Sequence, residues 1–298
     1  MIIINQLHLD IDEPLQALEE KIAAKLRLPV GSFSYQVEVD AAMSEKKVRA
    51  LKDKNITWHK SVAPEPLVHG AEALEGRPIV VGAGPAGLFA AYVLAREGYA
   101  PLLLEQGEDV ARRSEQVERF WTDGTLDTAS NVQFGEGGAG TFSDGKLTSR
   151  SKNPLGRTVN EIFVHHGAPA EIAYQQRPHI GTDLLKGVIV SMREEMVRMG
   201  GEVRFGTKVE SLIMNHGQVK GVATNKGAFY SNVVLLGLGH SSRDLFRTLH
   251  AQGLAMEGKA FAVGFRIEHP QALINQRQHR ELAGHARLGA ASYQLTYH

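Results

Sequence analysis

The sequence predicts an α/β fold whose main part is a parallel sheet, preceded by a small α+β module. Two continuous apolar segments, 79–81 and 102–104, have the composition of buried strands and flank an alanine-rich helical segment. Strand, helix and strand in this order form a βαβ unit, the building block of parallel sheets. The first 70 residues instead mix strand-like segments with an amphipathic helix.

A glycine pattern, GAGPAG, joins the first apolar segment to the helix. Gly82 lets the chain turn sharply out of the strand, and Gly84, which has no Cβ, lets a pyrophosphate approach the backbone. Gly87 lets the helix lie close to the sheet. The helix begins at Pro85, and its unpaired N–H groups, of which that of Ala86 is the first, point towards the phosphates. The pattern predicts a Rossmann-like dinucleotide-binding domain.

The choice of dinucleotide depends on the residues that follow. Glu105 ends the second strand, close to the spacing of about 20 residues at which a carboxylate meets the ribose hydroxyls. Small residues at Ala91 and Gly98 extend the glycine pattern into one that resembles the N-terminal FAD fingerprint of glutathione-reductase-type flavoproteins. The alternative is that both residues only permit close packing of the helix on the sheet, as in any Rossmann protein.

A second glycine-rich segment, NVQFGEGGAGTFSDGKL (131–147), favours FAD. So many glycines do not form a stable helix or strand, but they let backbone amides approach an anion or a flat ring. We therefore expect Gly137, Gly138, Gly140 and Thr141 to contact the cofactor. The alternative is a flexible surface linker, which the apolar residues on either side of the glycines disfavour.

Four segments together resemble a bacterial family of FAD-dependent dehydrogenases of unassigned substrate, within the glutathione-reductase-type flavoproteins. These segments are GEGGAGTFSDGKL (135–147), RPHIGTD (177–183), LGLGHSSRD (236–244) and AVGFRIEHP (262–270). The resemblance implies a two-piece Rossmann-like FAD-binding domain with FAD as the tightly held cofactor. It supplies no reaction beyond redox chemistry.

The resemblance also implies roles for single residues. The backbone at Val209 lies against the adenine, and the turn with Gly237 and Gly239 passes the cofactor again. His179 falls near the flavin, where it donates to the ring or to a substrate carboxylate, or else only packs beside a helix start. Lys146 carries a positive charge that would favour the anionic reduced flavin. His179 and Lys146 are weak candidates, and the catalytic residues stay unknown.

The predicted organisation has three parts. Residues 1–70 form the α+β module, 77–256 the FAD-binding domain with inserted segments, and 257–298 the start of a substrate or cap domain that is incomplete. The last residues alternate like a strand without neighbours, and such a strand exposes an unpaired edge. We therefore expect a fragment of a longer chain; the alternative is a short member that closes its active site by dimerising.

Composition limits the class of protein. The 298 residues contain no cysteine, which excludes the disulfide-reducing chemistry of related flavoenzymes and thiolate metal sites. A formal net charge of zero gives no argument for nucleic acid or a membrane surface. No apolar stretch is long enough to span a bilayer, and the first residues do not resemble a signal peptide, so we expect a cytoplasmic protein. The oligomeric state is open.

Three further groups have competing explanations. His165 and His166 invite a metal site, but no third ligand follows at helical spacing, so we expect a helix-end pair and no metal. The segment 241–244, SSRD, either cradles an anion or begins a helix with a capping serine. The basic residues of 46–54 indicate a solvated helix face rather than a nucleic-acid site.

The predicted function is an FAD-dependent oxidoreductase that passes a hydride or an electron pair between a small-molecule substrate and the flavin. A nicotinamide cofactor, NAD(P)H, is a second, transient electron partner. Two alternatives stay open: an FAD-binding scaffold or RNA-associated flavoprotein whose flavin is not catalytic, and a truncated, inactive fragment.

Overall fold

A computed structural model describes residues 67–142, 155–173 and 180–261 without interruption, and parts of 2–58, 145–153 and 263–293. The chain divides into two compact units. One is Pro64–Glu257, and the other combines Met1–Ala63 with Gly258–His298. The finer division at residues 70, 77 and 257 stays a prediction.

The described strands, in chain order, are β1 Ile2–Ile4, β2 Glu38–Val39, β3 Ile56–Trp58, β4 Ile79–Val81, β5 Leu102–Leu104, β6 Glu202–Arg204, β7 Val209–Asn215, β8 Gln218–Thr224, β9 Gly227–Tyr230 and β10 Val234–Leu236. The described α-helices are α1 Gln16–Leu26, α2 Glu45–Ala50, α3 Pro85–Arg96, α4 Val110–Asp123, α5 Leu155–His165, α6 Thr182–Arg198, α7 Arg243–Ala251 and α8 Gln271–His279.

The larger unit is built on a parallel sheet of four strands in the order β10-β4-β5-β6. The predicted βαβ unit is confirmed, with β4 and β5 as neighbours and α3 as the crossover helix. Every residue of β4 and β5 is buried, because both faces of the sheet are covered. Val80 and Leu103 pack against α3, α5 and α6, whereas Ile79 and Val81 pack against α7 and a second sheet.

That second sheet is antiparallel and contains β7, β8 and β9 in that order. Along the chain it lies between β6 and β10, so it is an insertion between two strands of the parallel sheet. Val222 is fully buried, and together with Val209 and Leu212 it faces the parallel sheet.

The start of the chain has its own small core. Strands β2, β1 and β3 form an antiparallel sheet in that order, and α1 and α2 pack on it through Ile22, Leu26 and Val48. The predicted α+β composition is confirmed. Strand β1 is described over Ile2–Ile4, and residues 28–37 and 40–43 lie outside the described part of the chain. In the described part of the chain, no helix combines the length and the apolar character needed to cross a bilayer.

Candidate functional site

A cleft of about 590 Å³ opens where β4, β5 and β10 end. Open α/β sheets bind their ligands at this edge, outside the carboxyl ends of the strands. Most of the predicted cofactor residues line the cleft: Gly82, Gly84, Pro85, Ala86, Glu105, Gly138, Gly140, Val209, Gly237 and Gly239. The other predicted cofactor residues, Gly87, Gly137 and Thr141, are not among the residues that line the cleft.

The turn after β4 holds three neighbouring segments close together. The N–H of Gly82 donates to the Leu104 carbonyl over 2.7 Å, and the N–H of Gly237 donates to the Val81 carbonyl over 2.8 Å. Gly82 has a φ of +96°, and a Cβ at this position would lie 2.5 Å from the Gly237 carbonyl oxygen. A Cβ on Gly87 would lie 1.8 Å from the Gly82 carbonyl oxygen, so this glycine seats α3 on the sheet as predicted.

Gly84 differs from these two glycines because it faces open space. A Cβ added there would meet only the Cα of Gly138, at 3.9 Å, which is ordinary van der Waals contact. Gly84 is also the N-cap residue of α3, with Pro85 as the first helical residue. The N–H groups of Ala86 and Gly87, in the first helical turn, have no acceptor within the helix. Bare backbone and the positive end of a helix dipole therefore face the cleft, which suits a pyrophosphate.

Glu105 connects the segments around the cleft. Its side chain accepts hydrogen bonds from the backbone N–H groups of Ala83 (2.6 Å), Gly107 (2.9 Å) and Gly135 (3.0 Å), and the residue is only 5% exposed. A carboxylate offers about four acceptor positions. Three are in use, so the predicted contact with a ribose hydroxyl has one position left.

The glycine-rich segment is a packed part of the site rather than a flexible linker. Residues 135–138 are buried, and the N–H of Gly137 donates to the Ala83 carbonyl over 2.8 Å. Thr141 is fully buried, and its hydroxyl donates to the Glu136 carbonyl over 3.2 Å. Gly137 and Thr141 therefore fix the segment through hydrogen bonds within the protein, while Gly138 and Gly140 line the cleft.

Arg113 of α4 is a residue that sequence reasoning missed. It is fully buried and donates to the carbonyls of Asn131 (2.8 Å), Val132 (3.0 Å) and Glu136 (2.6 Å). Burial lowers the pKa of Arg113 to about 10, opposed by the charges of Glu105 and Glu136, so the side chain is cationic at neutral pH. Arg113 therefore fixes the path of the glycine-rich segment.

A signal for this role was present in the sequence. Arg113 follows Val110 by three positions and precedes Val117 by four, and both valines are buried. This spacing puts the arginine on the apolar face of α4. An arginine on such a face is rarely buried without partners.

Glu136 forms a second buried ionic contact in the same segment. Its carboxylate accepts from Arg193 Nε over 2.6 Å and from the N–H of Val110 over 2.8 Å. Burial raises the pKa of Glu136, while these two hydrogen bonds and the charge of Arg193 act against the rise. The contact ties the glycine-rich segment to α6 as well as to α4.

The remaining candidates divide into two groups. Residues 241–244 line the cleft at the start of α7, but the Ser242 hydroxyl donates to the Leu238 carbonyl over 2.8 Å and caps no helix N–H group. The capping explanation is therefore wrong for Ser242. His179 and Lys146, the weak catalytic candidates, lie outside the described residues.

The fold and the cleft define a Rossmann-type protein, and comparisons with known families agree. Residues 80–139 match the family model described as an NAD(P)-binding Rossmann-like domain. Residues 260–298 match the family model described as FAD-dependent protein, C-terminal domain-like. The predicted fold class and the predicted resemblance to FAD-dependent proteins are confirmed by these two matches.

Relatives cover the chain more fully than the chain covers them. An uncharacterized protein of Clostridium beijerinckii is 43% identical over 314 residues, which span 99% of this chain and 59% of that protein. Protein FixC of Escherichia coli strain K12 is 26% identical over 199 residues, which span 67% of this chain and 45% of FixC. The chain therefore spans about half the length of the curated relatives it matches.

Solved structures show only weak likeness. Thermovibrio ammonificans THI4 has a TM-score of 0.39 and 18% identity, covering 59% of this chain and 62% of THI4. Glycine oxidase from Bacillus cereus also has a TM-score of 0.39, with 13% identity over 58% of this chain and 59% of the oxidase. Likeness at this level adds nothing about the reaction.

Proposed function

We propose that this chain forms the FAD-binding part of an oxidoreductase that passes a hydride or an electron pair between a small organic substrate and the bound flavin. The open backbone at Gly84, at the N-terminus of α3, carries the proposal. The match to FAD-dependent proteins over 260–298 supports it. The reaction is a proposal about the whole protein, of which this chain spans a part.

The residues present fit FAD. The N–H groups of Ala86 and Gly87 would hold the pyrophosphate, and the absence of side chains at Gly84 and Gly138 would let it approach. Glu105 would accept a hydrogen bond from a ribose hydroxyl. FAD, when bound, supplies the redox chemistry, while the protein's part is to position the reactants and set the local charge.

The absence of cysteine excludes one kind of electron partner. With no cysteine in its sequence, this chain cannot pass electrons to a disulfide of its own. We propose a transiently bound nicotinamide cofactor as the second electron partner and a small organic molecule as the substrate. A cytoplasmic location completes the proposal and rests on the sequence alone.

Turnover of the bound flavin tests the proposal. The purified protein is expected to be yellow and to release FAD on denaturation. Anaerobic photoreduction followed by stopped-flow mixing with candidate acceptors should return the oxidised flavin spectrum. A flavin that is reduced but never reoxidised by any organic acceptor would instead favour the non-catalytic scaffold.

Replacing Glu105 by Ala should weaken FAD binding by about 1.5–3 kcal/mol, the contribution of hydrogen bonds to a charged group. The variant should also unfold more easily, because three backbone N–H groups lose their acceptor. Titration with FAD and with its 2′-deoxyadenosine analogue separates the two effects. Losing the hydroxyl should weaken binding to the wild type but not to Glu105→Ala.

Glu108→Ala is the matched control for this variant. Glu108 lies three residues further on and pairs with Arg112 outside the cleft. It should leave the affinity for both ligands unchanged. If the analogue and FAD bind the wild type equally well, Glu105 has no ribose role.

A further inference from the structure

The C-terminal end of α5 and the last turn of α6 bring three ligand-type side chains together. Glu195 Oε2 lies 3.2 Å from His165 Nε2 and 3.4 Å from His166 Nε2. The three ligand atoms all lie within 4.8 Å of one another. Sequence reasoning expected no metal here because it searched for a third ligand on the same helix. The acid comes from α6 instead.

His166 is held in an orientation that suits a ligand. Its side chain is 1% exposed, its Nδ1 lies 2.9 Å from the Ser191 hydroxyl oxygen, and its ring packs edge-on against Tyr92. Its Nε2 is buried and makes no hydrogen bond, although it points towards Glu195. A buried polar atom without a partner costs about 1–3 kcal/mol, so binding of a ligand such as a metal ion to this nitrogen would remove an unfavourable free energy term.

The contact with Ser191 has a second consequence. Metal-binding histidines almost always use their other ring nitrogen in a hydrogen bond that fixes the tautomer and the ring orientation. Ser191 lies one helical turn before Glu195 on α6, so one helix supplies both the carboxylate and the partner that orients His166.

We propose that His165, His166 and Glu195 form a site for a divalent transition-metal ion of the zinc type. Two imidazoles and a carboxylate are a ligand set that zinc accepts. With metal–ligand distances of about 2.0–2.1 Å, the ligands of a tetrahedral ion lie about 3.3–3.4 Å apart. Glu195 Oε2 lies at similar distances, 3.2 and 3.4 Å, from the Nε2 atoms of His165 and His166. His165 is 65% exposed, so it can adjust towards the ion and leave the fourth position to water.

The site is separate from the cofactor cleft, since none of its three residues lines that cleft. A bound ion would join α5 to α6, two helices that pack with α3 in one core. The proposal therefore concerns a metal ion outside the cofactor cleft and does not depend on the proposed redox function. Metal binding alone decides whether the proposal is correct.

Zinc binding to the tag-free protein tests the proposal. After treatment with a chelator, the full chain is titrated with zinc in competition with a chromogenic indicator, and with Co²⁺ to record the absorption of a tetrahedral site. We expect the protein to bind one zinc ion per chain, and in doing so to remove zinc from the indicator. Ser191→Ala should weaken binding by about 10–100-fold, the usual effect of losing such an orienting partner. His165→Ala and Glu195→Gln should weaken it further.

A surface pair elsewhere in the chain provides the matched control. His69 Nε2 lies 3.3 Å from Glu97 Oε2, which is a histidine–carboxylate contact without a second described histidine beside it. His69→Ala should leave zinc affinity unchanged. Thermal unfolding without metal checks the folding of each variant, and zinc should raise the melting temperature of the wild type but not of His165→Ala. No zinc bound to the wild type, or binding unchanged in both ligand variants, would overturn the proposal.

Discussion

Gly84→Val is expected to abolish FAD binding while leaving the protein folded. The backbone at Gly84 is extended, with φ −69° and ψ 179°, so a branched residue fits there without strain. A residue that precedes proline is also restricted to extended conformations, which valine prefers. The added Cβ would meet only the Gly138 Cα, at 3.9 Å, so we expect the branched side chain to extend into the cleft, where the pyrophosphate is expected.

Equilibrium titration of the apo-protein with FAD measures this effect, and urea unfolding checks that the variant has kept its stability. Gly156→Val is the control, because Gly156 lies on α5 with open space around it and outside the cleft. That variant should bind FAD as the wild type does. A Gly84→Val protein that still purifies with bound yellow flavin would show that the pyrophosphate lies elsewhere.

Arg113→Met is expected to lower the free energy of unfolding by about 3–5 kcal/mol, as removal of one partner from a buried ionic network does. The methionine has a similar shape but donates no hydrogen bond to the three carbonyls. It also removes the cation that stabilises the buried carboxylates of Glu105 and Glu136. FAD affinity should fall too, because the glycine-rich segment loses its anchor.

Urea unfolding of the wild type and the variant measures the change. Arg112→Met is the control, since the Arg112 side chain is 71% exposed and pairs only with Glu108 among described residues. This neighbour should change stability by no more than about 0.5 kcal/mol. Equal losses in the two variants would mean that burial of Arg113 contributes nothing.

Local sequence predicted the elements whose geometry is encoded locally. The glycine spacing from Gly82 to Gly87 specifies a strand, a turn and a helix, and β4 and α3 occupy those positions. The continuous apolar segments 79–81 and 102–104 predicted buried strands, and β4 and β5 are both fully buried.

Features that depend on distant segments could not be predicted in this way. Arg113 binds carbonyls about twenty residues away, and Glu195 reaches His166 from another helix. The hydroxyl of Ser242 has a local alternative to capping, the Leu238 carbonyl, and a composition rule does not choose between the two. The first two outcomes are decided by tertiary packing, and the third by a choice between two local hydrogen bonds.

A crystal structure of the protein with FAD tests the central claim most directly. We expect the pyrophosphate beside Gly84, within hydrogen-bond distance of the N–H groups of Ala86 and Gly87, and the adenosine ribose next to Glu105. FAD bound elsewhere, or side chains filling the space next to Gly84, would contradict it.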